Sequence, residues 1–253
     1  MYAAATRFVI VNNGRSGSTL LVDLLCSHPD IQCEAEILNE HLWRSWRRPL
    51  LWLIRANPLP YLEQRAGRAT RPSYGFKLKT GGQVDNLGRT LRCLHHHGWR
   101  MIYLHRRDAL QQTLSWSVAQ ASGCWQTTAA DRPRAPHNVT LDVGDFMRNL
   151  RTCVADQRIL ADLMRHLPHL PLVYEDDLQS SEQWPSASAQ VCAWLGVSPA
   201  PLASQVVKTW ERPYAEVVTN CTEILAAVAR SPFDYLTMSS DNTALADSEG
   251  IGA

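Results

Sequence analysis

The sequence predicts an α/β protein with a mainly parallel central sheet covered by helices on both faces. Three observations carry this expectation. Short apolar, β-branched runs recur along the chain, helix-patterned stretches lie between them, and the first run opens directly into a Gly/Ser-rich loop followed by a helix.

In order, residues 7–12 (RFVIVN) read as the first strand and NNGRSGST as the loop, with Leu20, Leu21, Leu24 and Leu25 following at helical spacing. Residues 40–55 pattern as a helix, 74–79 (YGFKLK) alternate as a second strand, and 83–97 return to helix. Residues 100–105 (RMIYLH) follow Gly98 as a third strand, and Asp108 caps a helix over 108–121 with Gln111 three residues on. A long helix over 145–167 puts Phe146, Leu150, Val154, Leu160, Leu163 and Leu167 on one stripe, and 170–174 form the fourth strand. Residues 122–143, with Asp131, Pro133 and Pro136, are expected to be a long surface loop or lid, and 239–253 a disordered tail. No repeat and no Pro-, Gly- or Ser-rich boundary splits the chain, so one domain is expected over 1–238.

The 253 residues are 45% hydrophobic and 19% charged, which supports a large core and excludes disordered and rod-like classes. A net charge of +1 provides no global field for nucleic acid or an anionic membrane, so an anion needs a local site. Seven cysteines, an odd number without a C-x-x-C, read as reduced thiols, and no secretory signal is evident, so a cytoplasmic protein is expected. The most apolar window, 50–62, is broken by Arg55, Asn57, Pro58 and Pro60 and falls short of the roughly 20 residues of a membrane span.

The loop carries the chemistry. A strand–loop–helix junction aims backbone N–H groups at one spot while the helix dipole adds positive charge, which suits phosphate or sulfate. Gly14 and Gly17 permit close approach, Arg15 supplies a cation, and Ser16, Ser18 and Thr19 supply hydroxyls. The nucleoside-triphosphatase loop needs Lys after its last glycine, whereas Ser18 stands here, and no G-x-G-x-x-G follows the strand. The plain alternative is a turn that only reverses the chain.

Arg15-Ser16-Gly17-Ser18-Thr19, joined downstream by a strand ending in Arg106-Arg107-Asp108 and a helix carrying Ser115, resembles the two nucleotide-binding motifs of the sulfotransferases that use 3′-phosphoadenosine-5′-phosphosulfate (PAPS). Tyr174-Glu175-Asp176-Asp177 and Leu195-Gly196-Val197 extend the resemblance, which covers about residues 7–227. RSGSTLL and KTWERPYAEVVTN are most similar to the bacterial nodulation-type and trehalose-type carbohydrate enzymes. The resemblance implies a P-loop type nucleotide-binding fold and sulfuryl transfer to a hydroxyl of a carbohydrate, glycolipid or other small molecule. The product nucleotide would be adenosine 3′,5′-bisphosphate (PAP), with no metal.

The resemblance also implies roles. The loop would hold the 5′-phosphosulfate, and Arg107 and Ser115, eight positions apart, the 3′-phosphate; Arg106 has no serine at that spacing. Glu36-Ile37-Leu38-Asn39 is similar to the segment that holds the branch's glutamate base, so Glu36 is the candidate general base and Glu34 the reserve. Lys77 resembles the strand lysine that reaches the transferred group, with Lys79 on the same face. Lys208, Thr209 and Arg212 resemble a late basic segment that closes over the nucleotide, the other reading being a solvated loop. Trp43, Trp46, Trp52, Trp116 and Trp125 are acceptor contacts or core residues. His95-His96-His97 lacks metal-ligand spacing. Competing readings are a P-loop kinase or nucleotidase, disfavoured by Ser18, and a non-catalytic PAP-binding protein.

Overall fold

A computed structural model describes residues 6–39, 48–125, 127–128, 138–207 and 213–238. Its elements in chain order are β1 (Thr6–Asn12), α1 (Ser18–Ser27), β2 (Ile31–Glu34), α2 (Arg48–Ala56), α3 (Leu59–Ala66), β3 (Ser73–Lys79), α4 (Leu87–His96), β4 (Arg100–His105), α5 (Ala109–Ser122), β5 (Thr127–Thr128), α6 (Val143–Arg165), β6 (His169–Val173), α7 (Trp184–Leu195), β7 (Val206–Val207), α8 (Tyr214–Val217) and α9 (Cys221–Ala229). Five strands pair in parallel in the order β2-β3-β1-β4-β6, and β5 and β7 form an antiparallel pair. This is the α/β architecture that the alternating patterns predict.

The chain forms two compact units interleaved in sequence: Met1–Arg106 with Asp156–Ser204, and Arg107–Ala155 with Gln205–Ala253. The first contains the parallel sheet. β1 lies at its centre, and Phe8, Val9, Ile10 and Val11 are all fully buried, because a strand paired on both edges and covered on both faces has no side for polar residues. On one face Val9 and Val11 pack with Tyr74, Phe76 and Leu78 of β3 and Leu91 and Leu94 of α4. On the other, Phe8 and Ile10 pack with Leu21, Leu24 and Leu25 of α1 and Val191 and Leu195 of α7. Gly75 makes room for Phe8: a Cβ there would lie 2.3 Å from the ring.

β1 leads through α1 to β2 on one side of the sheet, while β4 leads to β6 on the other. The crevice at the carboxyl ends of β1 and β4 is therefore the topological switch point, where ligands bind in folds of this kind, and the Gly/Ser loop opens there.

The second unit has its own core, in which Leu110, Leu114 and Val118 of α5 meet Phe146 and Leu150 of α6 and Ile224 of α9. The predicted stripe on α6 is thus divided. Phe146, Leu150 and Val154 join this core, whereas Leu160 joins that of the first unit, with Leu167 half-buried against it.

Several elements differ from expectation. β2 has only four residues, IQCE, with alternate positions half-buried, too brief for a pattern to register. The helix expected over 40–55 is α2 from Arg48, and 40–47 lie outside the described residues. The fourth strand ends at Val173, and Tyr174–Leu178 form a π-helical turn. Gly123, with φ of 73°, ends α5; part of the expected lid (126 and 129–137) and the tail over 239–253 lie outside the described residues. Among the described residues no helix is long and apolar enough to cross a membrane.

Candidate functional site

The loop after β1 is built to present backbone donors. Arg15 and Gly17 both adopt left-handed backbone conformations, with φ of 63° and 83°. For Arg15 this costs about 1–2 kcal/mol, which the surrounding fold must offset. Ser16 is fully buried, and its Oγ donates to Asn13 O at 2.8 Å, bracing the turn from within. Thr80 Oγ1 donates to Asn13 Oδ1 at 2.9 Å, tying the loop to the end of β3. Gly17 is the N-cap of α1 and offers no side-chain cap to its first N–H groups, which suits an anion there.

Gly17 is also sterically required. A Cβ there would come within 2.5 Å of Tyr174 Cδ2. Tyr174 in turn lies under the Arg106 guanidinium, 4.8 Å from the ring centroid, and Arg106 Nε stands 3.6 Å from Glu175 Oε1. Arg106 is therefore absorbed by packing and pairing within the first unit.

Glu36 and Lys77 meet. The parallel register sets Glu34 of β2 beside Phe76 of β3, so the segment leaving β2 runs past the end of β3. Lys77 shares a sheet face with Gly75 and Lys79. It is only 5% exposed, and its Nζ lies 3.2 Å from Glu36 Oε1 and donates to Thr19 Oγ1 at 3.3 Å. Lys79 Nζ lies 4.0 Å from Glu36 Oε2. Two lysines thus face one carboxylate, leaving a surplus of positive charge beside the loop. Burial acts to raise the Glu36 pKa, but Lys77, Lys79 and hydrogen bonds from Asn39 and Lys77 outweigh it, and the carboxyl titrates below its ordinary range.

Two amides hold this carboxylate. Asn39 Nδ2 and Gln83 Nε2 each donate to Glu36 Oε2 at 2.9 Å. Gln83 is buried, and its Oε1 accepts from the Lys79 backbone N–H at 3.0 Å, so its position is set by the end of β3. Sequence reasoning missed Gln83, since a lone glutamine in a loop has no motif and only the fold brings it to Glu36.

Glu34 has a different occupation. Its carboxylate takes a forked contact from Arg65 of α3, with Nε at 3.2 Å from Oε2, and accepts the Tyr74 hydroxyl at 2.8 Å. Burial and the adjacent Glu34 charge push the Tyr74 phenol well up. With these partners Glu34 fastens α3 to β2 and β3.

Arg107 and Ser115 belong to the second unit. Asp108 caps α5 as expected, accepting from Gln111 N at 2.9 Å. Arg107, just before this cap, is exposed, whereas Ser115, about two turns along the helix, is buried. Lys208, Thr209 and Arg212 lie outside the described residues, as do Trp43 and Trp46. Trp52 is 67% exposed, and Trp116 and Trp125 pack edge to face with centroids 5.0 Å apart. Among the described residues no group of three or more His, Cys, Asp or Glu side chains is placed to hold a metal ion.

No protein-family model matches the sequence, and no curated protein does. A solved structure does share the fold. A sulfotransferase from Alicyclobacillus acidocaldarius aligns with a TM-score of 0.51 at 15% identity, covering 96% of each chain. The sulfotransferase domain of the olefin synthase from Synechococcus PCC 7002 aligns with a TM-score of 0.42 at 16% identity, over 100% of this chain and 90% of that one.

Proposed function

We propose that the protein is a sulfotransferase that moves the sulfuryl group of PAPS to a hydroxyl of a carbohydrate, glycolipid or other small-molecule acceptor. The observation that carries this reading is the group formed by Glu36, buried Lys77 and Thr19 at the mouth of the loop. It combines a proton acceptor, a fixed cation and an anion-binding loop. The fold shared with the Alicyclobacillus acidocaldarius sulfotransferase supports the reading.

The residues fit the phosphosulfate. No side chain caps the first N–H groups of α1 behind Gly17, and Arg15, Ser16, Ser18 and Thr19 belong to the same loop and helix start. Bound PAPS supplies an activated sulfuryl group. Glu36 then takes the proton of the acceptor hydroxyl as that oxygen bonds to sulfur and the bond from sulfur to the bridging phosphate oxygen breaks in line. Lys77 and the first N–H groups of α1 neutralise the charge left on that oxygen, and Arg15 the charge on the sulfuryl oxygens. When Lys77 turns to this task, Glu36 loses the main partner holding its pKa down and becomes a stronger base. These cations give the stabilisation the step needs without a metal. Arg107 and Ser115 are assigned to the 3′-phosphate, and Lys208 and Arg212 to closure over the nucleotide, all on the resemblance of their segments. Seven free cysteines suit a reducing compartment, and we place the protein in the cytoplasm.

The test is incubation of the protein with [35S]PAPS and a panel of sugars, glycolipids and phenols without magnesium. The reading expects labelled acceptor and PAP in equal amounts. No label above the background of a Glu36→Gln control, for any acceptor, would reject it.

A further inference from the structure

Helix α2 is apolar on the side it turns to solvent. Leu51 and Ile54 are buried, and Ile54 joins the core that holds Leu38 and Val84. The other side of a surface helix ordinarily carries its polar residues. Here Leu50, Trp52 and Leu53 stand 52%, 67% and 58% exposed, three of the seven large apolar side chains that are exposed among the described residues. With about 100° between successive residues, they and Ala56 occupy roughly 160° of the helix surface with no polar position between them. Exposed apolar residues scattered singly are ordinary, whereas a contiguous face marks a docking surface.

Charge selects the occupant. Positions 48 and 55, both arginine and seven residues apart, border this arc on the side of Trp52. The sequence over 41–62 holds four arginines and no Asp or Glu, in a protein whose net charge is only +1. A second copy meeting this face through a two-fold axis would set arginines against arginines, with no carboxylate in the segment to pair them. An anionic lipid surface meets both needs, with acyl chains for the apolar arc and phosphates beside the arginines. Nine residues rise about 14 Å, far less than a bilayer, so a lipid-bound α2 lies in the interface, where a tryptophan side chain is favoured. The Arg55 carbonyl accepts the Asp85 N–H at 3.3 Å, and Gln83, two residues before Asp85, holds Glu36. The face therefore belongs to a helix bonded to the turn beside the candidate base.

We infer that α2 docks the protein on an anionic membrane surface, with Leu50, Trp52 and Leu53 inserted among the lipid headgroups. Such docking needs no nucleotide, so it stands or falls apart from sulfuryl transfer.

The experiment is co-sedimentation of the full chain, without nucleotide, with vesicles of phosphatidylcholine alone and of phosphatidylcholine mixed equally with phosphatidylglycerol. Binding to the mixed vesicles is expected, weakening as salt rises and about ten-fold weaker on phosphatidylcholine alone. Trp52→Ser and, separately, Leu53→Ser should each lower binding to the mixed vesicles about ten-fold, the worth of one large apolar side chain. Their melting temperatures should be unchanged, because both side chains stand in solvent. Ile159→Ser, which removes an exposed apolar side chain from α6, should bind as the wild type does. No binding to either vesicle, no preference for the anionic lipid, or equal binding by the wild type and both α2 variants would overturn the inference. So would a dimer in analytical ultracentrifugation that Trp52→Ser converts to monomer, which would give the face to a second copy.

Discussion

The two segments that resemble nucleotide-binding motifs are built on opposite principles. The loop after β1 is locked before any ligand arrives: Ser16 is buried, Gly17 is pressed against Tyr174, and Lys77 is pinned between Glu36 and Thr19. The segment after β4 presents an exposed Arg107 ahead of an ordinary capped helix. Preorganisation belongs where charge develops in the reaction, since a donor already in place spends nothing on reorientation. A residue that only grips a distant phosphate has no such need. On the proposed reading, chemistry falls to the first segment and affinity to the second.

Substitutions sharpen this contrast in order of size. Glu36→Gln should lower transfer from PAPS about 10²–10⁴-fold, the usual worth of a positioned base, with PAP affinity unchanged in a calorimetric titration. Equal loss of binding would make Glu36 a structural partner of Lys77.

Lys77→Met should destabilise the fold by about 3 kcal/mol in urea melts, because a largely buried carboxylate loses its closest cation. It should also change the acid behaviour. Glu36 titrates below its ordinary 4.5 in the folded protein, so its pairing contributes fully above that value and is lost as pH falls through the folded pKa. In Lys77→Met the largest influence holding the carboxyl down is gone and its pKa moves up, so this acid-side loss should shrink in melts recorded between about pH 3 and 7. An unchanged acid limb would place the linkage elsewhere.

Gly17→Ala should cost about 2 kcal/mol from the left-handed backbone alone, and more from overlap with Tyr174. PAP binding should fall with it, and a variant as stable as wild type would show that the loop is not locked. The smallest effect is that of Arg107→Ala, which should leave the melting temperature in place and weaken PAP about ten-fold while leaving AMP unaffected.

Much of this was legible from the residues, for reasons that differ by element. β1, β3 and β4 are long apolar runs beside recognisable helices, and Asp108 with Gln111 marks the start of α5 by local chemistry alone. β2 is too short and too mixed, and α3 starts at Leu59 within the apolar window that Arg55, Asn57, Pro58 and Pro60 interrupt. Glu36 and Lys77 were nameable as separate candidates, but their contact depends on β2 pairing with β3 in parallel, a long-range fact. The different surroundings of Glu36 and Glu34 likewise depend on the fold, because Arg65 and Tyr74 that occupy Glu34 come from α3 and β3. Gln83 carried no signal at all.

The central claim is that the protein reads an adenosine nucleotide through both its 5′ and 3′ phosphate groups. Calorimetric titration of the full chain with PAP, AMP and ATP, without magnesium, tests it without knowledge of the acceptor. The account predicts micromolar or tighter binding of PAP and much weaker binding of AMP and ATP. Equal affinity for PAP and AMP would contradict it and return the loop to a general anion site.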